Sequence, residues 1–310
     1  MQLDDRNRRP CPICLTFPDK EHVFLDERID VSKLNEFSFA SRKAPEHCCY
    51  QMVRCPHCDL VYVDRPPSQS ALANAYHAAN YDSSEEANDA AASYMDAFAF
   101  ALQRTRRHSA LEIGTGTGVF LEKLAKFGFE ILVGIEPSAA AIAAAPEHRR
   151  AWIREGIFKE GDYEPESFDL VCCFMTLEHV RDPRDISESV LRLLRPGGAL
   201  LTVTHDYRSI VNRLLGRRSP IVDIEHMQLF SRHSIATLLQ STGYTDIKAT
   251  RFVNKYSVRY WNRLAPLPSG VKDSLDTVMS SIGLDRLKLS INVGNIAAIG
   301  FKPDPQSRQT

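Results

Sequence analysis

No apolar run in the 310 residues approaches the length of a membrane span, and the polar start MQLDDRNRRP lacks the hydrophobic stretch of a signal peptide. These absences lead to the expectation of a soluble, cytoplasmic protein. Charge of one sign is lacking too. Lys and Arg number 38 against 39 Asp and Glu, a formal net charge of -1, so the basic stripe of a dedicated nucleic-acid binder is not expected. Short basic clusters at 104–108 and 213–218 read as solvated surface. What is present is enough chain to bury a full core, read as one main domain plus an appendage.

Six of the eight cysteines fall within the first 58 residues, and the other two, Cys172 and Cys173, sit inside an apolar strand. In a reducing compartment such clustering points to metal rather than disulfides. The pattern is RPCPIC, with Cys11 and Cys14, then 40 residues, then RCPHC, with Cys55 and Cys58. Each C-x-x-C makes a tight turn, and two facing turns supply four thiolates to one structural zinc. Residues 1–66 therefore read as a zinc-ribbon-like module with strands at 23–25, 50–53 and 60–63. His47, Cys48, Cys49 and His57 are spare candidates, left unliganded because a closed site takes four ligands. Such a site has no open position for substrate, so the module's expected role is scaffold or lid. Arg65, Pro66, Pro67 and Ser68 form the joint to the body.

The most informative run is 110–138, ALEIGTGTGVFLEKLAKFGFEILVGIEPS. Leu111 and Ile113 end a strand, Gly114, Gly116 and Gly118 make a turn, and Phe120, Leu121, Leu124 and Phe127 recur at helical spacing until Gly128. A second strand then ends in Glu136. Glycines at alternate positions let a ligand approach the backbone, the helix N-terminus offers free N–H groups, and Glu136 is placed for a ribose diol. A nucleoside ligand follows. A dinucleotide would require G-x-G-x-x-G, but Val119 stands where the third glycine belongs. Glu112 would repel a pyrophosphate and suits a cation.

This run resembles motif I of the class I S-adenosylmethionine (SAM) dependent methyltransferases, E/D-x-G-x-G-x-G. The resemblance extends over about 110–243, with TLEHVRDP and Arg195-Pro196-Gly197-Gly198 as further family segments. It implies a doubly wound, mostly parallel seven-stranded α/β sheet. It also implies a cofactor site built from Glu112, Gly114, Thr115, Gly116, Gly118, Glu136 and Pro137, with Ile157 and Phe158 beside the adenine and Phe174 and Met175 as a wall. Ubiquinone-type O-methyltransferases carry a related E-x-x-E-H segment linked to a divalent cation. Here Met175 replaces its first acid, so Glu178 and His179 read as a structural or cofactor-side pair.

Around this core, 70–80 and 88–105 read as helices covering the site at 67–107, and the SAM-binding domain as 108–310 with a helical insertion at about 254–290. Tyr76 and Tyr81 either face the cofactor or simply pack. Helix signals begin at Pro183 and Ser231, and strands are expected at 199–204 and 295–301. The acceptor pocket is expected from segments after the strands, 205–231 and 252–268. Methyl transfer to an oxygen or carbon needs a base, for which His226 is the first candidate, with His179 and His205 behind it and a purely structural histidine as the competing reading. The aromatic insertion suits a small organic acceptor such as a sugar or ring compound. A non-catalytic zinc-ribbon interaction protein and an NAD-type oxidoreductase are the alternatives.

Overall fold

The computed structural model describes residues 8–17, 22–40, 45–81, 84–265, 267 and 269–305. The start read above for a signal peptide lies, in its first seven residues, outside the described residues, as do Pro266 and Pro268 of the insertion. Three short strands open the chain: β1 (Val23–Leu25), β2 (Met52–Arg54) and β3 (Val61–Val63). Helices α1 (Gln69–Ala78), α2 (Ser84–Ala97) and α3 (Ala99–Arg104) follow. The alternating body comprises β4 (Ser109–Ile113), α4 (Val119–Phe127), β5 (Ile131–Glu136), α5 (Ala139–Ala144), α6 (Glu147–Arg150), β6 (Ile153–Glu155), β7 (Phe168–Phe174), α7 (Pro183–Leu193) and β8 (Leu194–His205). The chain continues through α8 (Ile210–Leu215), β9 (Gln228–Leu229), α9 (Arg232–Ser241), β10 (Thr245–Ser257), α10 (Val258–Leu264), α11 (Ser269–Ser281) and β11 (Lys288–Phe301).

The larger sheet has seven strands in the order β10-β11-β8-β7-β4-β5-β6. The five strands from β8 to β6 are parallel, whereas β11 enters antiparallel between β8 and β10. Strands β4 and β7 are buried along their whole length, as strands covered on both faces must be. Alternate residues feed two apolar layers. Leu111, Ile113, Val171 and Cys173 pack with Val190, Leu193, Ile235 and Leu238 of α7 and α9. Ala110, Leu170, Cys172 and Phe174 pack with Tyr94, Phe98, Leu121 and Leu124 on the opposite face. The two-residue period of a strand thus produces the helix-sheet-helix layering.

The smaller sheet has the order β1-β2-β3-β9. Its fourth strand comes from far along the chain, pairing Val61 with Leu229 and Tyr62 with Gln228. Cys55 to Cys58 make the turn between β2 and β3, closed by the Cys55 N–H donating to the Leu60 carbonyl at 2.8 Å.

Several expected boundaries move. The helix expected over 88–105 is divided at Phe98, whose φ of -105° and ψ of 9° depart from helical geometry. The strand expected from Ala199 already begins at Leu194, because Leu194 pairs with Phe168 across an irregularity and Gly197 takes a φ of 77°. Strands β10 and β11 extend beyond the core, pairing Ser257 with Lys288, so the aromatic insertion is strand at its base and α10 and α11 at its tip. Among the described residues no helix is long and apolar enough to cross a membrane.

Candidate active site

The glycine turn between β4 and α4 is shaped by two constraints. Gly114 has a φ of 76°, and a Cβ there would collide with the Thr176 hydroxyl, so only glycine lets the turn pass β7. Gly116 has a φ of 56° and open space where its Cβ would be, leaving its backbone exposed to an occupant. Glu136, at the tip of β5, accepts from the Gly116 N–H at 2.7 Å through Oε2 and from the Ser138 N–H at 2.9 Å through Oε1. Burial nevertheless pushes its carboxyl above the usual range, these two N–H groups opposing the shift. Glu112, also buried, accepts from the Thr115 hydroxyl at 2.6 Å.

A cavity of about 370 Å3 lies over this turn. Its wall includes Glu112, Gly114, Thr115, Gly116, Glu136 and Pro137, and further round Ile157, Phe158, Phe174 and Met175. Gly118 is the one member of the expected cofactor set that stands off the wall. It caps α4 in a left-handed conformation, and a Cβ on it would press on Arg149 and Ile153. Its place is in shaping the turn rather than touching an occupant. Tyr76 and Tyr81 both line the cavity.

The opposite wall gathers groups from distant segments. His179, His205, Glu225 and His226 meet there, with the His179 and His226 rings stacked at 4.8 Å and His205 edge-on to His226 at 5.7 Å. The arrangement rests on backbone pairing between the loop after β7 and the segment before β9. Met227 and Gln228 donate their N–H groups to the Glu178 carbonyl at 2.7 and 3.2 Å, and the Gln228 side chain donates to the carbonyls of Leu177 and Val180. The Glu225 carbonyl accepts from the Tyr76 hydroxyl at 3.1 Å and lies 3.3 Å from His179 Nδ1. Burial lowers the basicity of His205. The ligand-capable atoms of His179, Glu225 and His226 lie within 4.8 Å of one another. Two imidazoles beside a carboxylate, with the rings 25° from parallel, form a group able to accept and pass on a proton.

One feature of this wall escaped sequence reasoning, and a second lies within the segment 252–268 expected to build the acceptor pocket. Glu225 carried no signal beyond its neighbour His226. Asn254, fully buried on β10 and lining the cavity, has neither its amide nitrogen nor its amide oxygen hydrogen-bonded. An orphaned buried amide costs about 1–3 kcal/mol, which a ligand hydroxyl or amide would recover. Tyr256, Tyr260 and Trp261 cluster beside it, with ring centroids 4.6–6.1 Å apart.

The four cysteines of the appendage also converge. Their sulfur atoms lie within 4.8 Å of one another, with Cys11 3.4 Å from Cys58 and Cys14 3.3 Å from Cys55. A tetrahedral zinc with bonds of about 2.3 Å has sulfur-sulfur edges of about 3.8 Å, so the set fits one after slight opening. Cys48 and Cys49 pack instead in a separate apolar cluster. Arg9 ties the module to the body through the carbonyls of Val63 and Arg181, and Arg184 donates to the Ile13 carbonyl at 2.7 Å.

A methyltransferase domain model matches residues 85–249, just over half of the chain. The chain belongs to this methyltransferase family. It is 31% identical over 165 residues to the ubiquinone biosynthesis O-methyltransferase of Aliivibrio fischeri, covering 48% of this chain and 70% of that protein. The mitochondrial ubiquinone biosynthesis O-methyltransferase of Schizosaccharomyces pombe is 32% identical over 126 residues, 38% of this chain and 43% of that one. The chain thus spans less than half the length of that relative. Among solved structures, a SAM-dependent methyltransferase of Thermotoga maritima is similar over 70% of this chain and 91% of its own, at 22% identity and a TM-score of 0.47. The family match runs from α2 into β10, and the four-cysteine module lies outside it.

Proposed function

We propose that the protein transfers a methyl group from SAM to an oxygen or carbon of a small organic acceptor. The observation that carries this reading is a single cavity with the glycine turn, Glu112 and Glu136 on one side and His226 on the other. Glu136 would hold the ribose hydroxyls, Glu112 the ammonium end of the methionine moiety, and Ile157 and Phe158 would flank the adenine. Phe174 and Met175 would wall the sulfonium, and Asn254 with the aromatic cluster would hold the acceptor. His226 would take the acceptor proton while the freed electron pair bonds the methyl carbon and the carbon-sulfur pair returns to sulfur, leaving S-adenosylhomocysteine. His179, stacked on His226, would orient it. The relatives' O-methyltransferase names favour oxygen as the methylated atom.

The four thiolates would hold one structural zinc that supplies no chemistry to the transfer and stabilises the module of residues 1–66. That module is the scaffold for one wall of the site, because β3 pairs with β9 two residues past His226.

Calorimetry with SAM and with NAD tests the cofactor. One SAM bound per chain, with no heat from NAD, is the expected result, and NAD binding in its place refutes the reading. Incubation with methyl-labelled SAM and a metabolite extract then tests transfer, label appearing in a small organic product.

A further inference from the structure

A second cavity, of about 820 Å3, lies where the small sheet meets α8. Six arginines line it: Arg54, Arg208, Arg213, Arg217, Arg232 and Arg251. No acidic side chain is in its lining among the described residues, although the whole chain carries a net charge of only -1. Three of the six are already neutralised from outside the cavity, Arg208 by Asp59, Arg217 by Asp26 and Arg251 by Asp206. Among the described residues, Arg54, Arg213 and Arg232 meet no carboxylate within ion-pair distance. The rest of the lining has a different character. Phe24 and Tyr207 form an edge-to-face aromatic pair at 5.4 Å, and Ile221, Val222 and Leu229 add apolar surface.

Like charges gathered around a concave surface repel one another, and a concave cationic site concentrates anions. Guanidinium groups suit phosphate in particular, because their planar forks match its oxygens two at a time. The aromatic and apolar part of the lining calls for a flat, uncharged part of the same molecule. We infer that this cavity is a binding site for an organic phosphate, its phosphate oxygens held by Arg54, Arg213 and Arg232 and its ring seated against Phe24 and Tyr207. The site is separate from the methyl-transfer cavity. The two share a wall one chain segment thick, since Pro220 and Asp223 face the first cavity while Ser219, Ile221 and Val222 face the second.

The test uses the full chain saturated with S-adenosylhomocysteine, so that the proposed donor side of the first cavity is filled. Inorganic pyrophosphate titrated by calorimetry at low salt is expected to bind once per chain below about 1 mM, and more weakly as salt rises. The double variant Arg54→Ala/Arg213→Ala is expected to weaken it roughly tenfold or more, through loss of charge-assisted contacts. Arg232→Ala, on a different element, provides an independent variant. All three positions are exposed, and an unchanged affinity for S-adenosylhomocysteine verifies that the variants fold. Phenyl phosphate is expected to bind more tightly than inorganic phosphate, and Phe24→Ala to remove that advantage. No heat from pyrophosphate, or binding that survives the arginine changes, overturns the site. Equal affinity for the two phosphates overturns the organic part of the ligand. Because S-adenosylhomocysteine binding is read separately, either failure is distinguishable from failure of the methyltransferase reading.

Discussion

Glu178 is completely buried behind the histidine wall, with Oε1 accepting the His205 N–H at 2.8 Å and Oε2 without a hydrogen-bond partner. Burial pushes its carboxyl from 4.5 up to about 7, the His205 N–H opposing the shift. A carboxyl whose folded-state value is raised binds its proton more tightly in the folded chain. Its stabilising contribution is therefore full below about pH 4.5 and is lost as pH rises to about 7, a change on the order of 3 kcal/mol. Glu178→Gln mimics the protonated form, so the difference in unfolding midpoint between variant and wild type should grow in the variant's favour from pH 5 to pH 8. A constant difference across that range would show that the carboxyl titrates normally. The same wall carries His226. His226→Ala should lower kcat by about 10²–10³ while SAM affinity stays within about twofold, because a base acts on the acceptor and not on the donor. Unchanged turnover would transfer the role to His179 or His205. At this scale the wall proposed for the donor was legible as a cluster, since Glu112, Gly114, Gly116 and Glu136 all lie within one short run. Glu225 was not, since its significance comes from what the fold brings beside it, and Asn254 was legible only as part of the acceptor segment 252–268, its unpartnered amide being a product of the fold.

Among the elements, the pairing of β3 with β9 has the largest consequence. Val63 donates its N–H to the Met227 carbonyl at 2.9 Å, and Met227 in turn donates to Glu178, so the module and the loop after β7 hold the His226 segment from both sides. Purified protein should carry about one zinc per chain. Its removal by a chelator should speed amide exchange at 61–63 and 227–229 while SAM affinity falls little. Exchange that rises only within the module would show that the scaffold role is wrong. C-x-x-C turns are readable because each is four residues long, and the strands of the module follow from short apolar runs at 23–25, 50–53 and 60–63. A two-residue β9 has no such signature, and only a partner strand makes it a strand. The same holds for β10 and β11, whose far ends are strand because they pair with each other beyond the core. The break at Phe98 is equally silent in the sequence, where Tyr94, Phe98 and Leu102 keep a continuous helical spacing.

For the molecule as a whole, a donor bound as proposed between the glycine turn and Glu136 would couple to folding. SAM at a hundredfold excess over its Kd should stabilise the protein by about 2.7 kcal/mol, seen as an unfolding midpoint several degrees higher. Glu136→Ala should weaken SAM roughly tenfold or more and remove about half or more of that shift, because the proposed charged acceptor of two ribose hydroxyls would be lost. A full shift in the variant would move the ribose elsewhere.

Sequence by itself determined the parts of this protein that are built from neighbours along the chain: the strand-turn-helix-strand unit at 110–138, the two cysteine turns and the alternation of apolar strands and helices. Steric limits on φ, helical and strand periods and ligand spacing all act over a few residues, so they leave a local trace. Only the tertiary structure decided which side chains face the glycine turn across the cavity. Tyr76, His179, His205, His226 and Asn254 come from five separate segments, and their meeting depends on sheet order and on the late strand β9 crossing to the N-terminal module. The arginine-lined cavity has the same origin, since Arg54 and Arg232 are 178 positions apart in the chain and adjoin only because β2, β3 and β9 share one sheet.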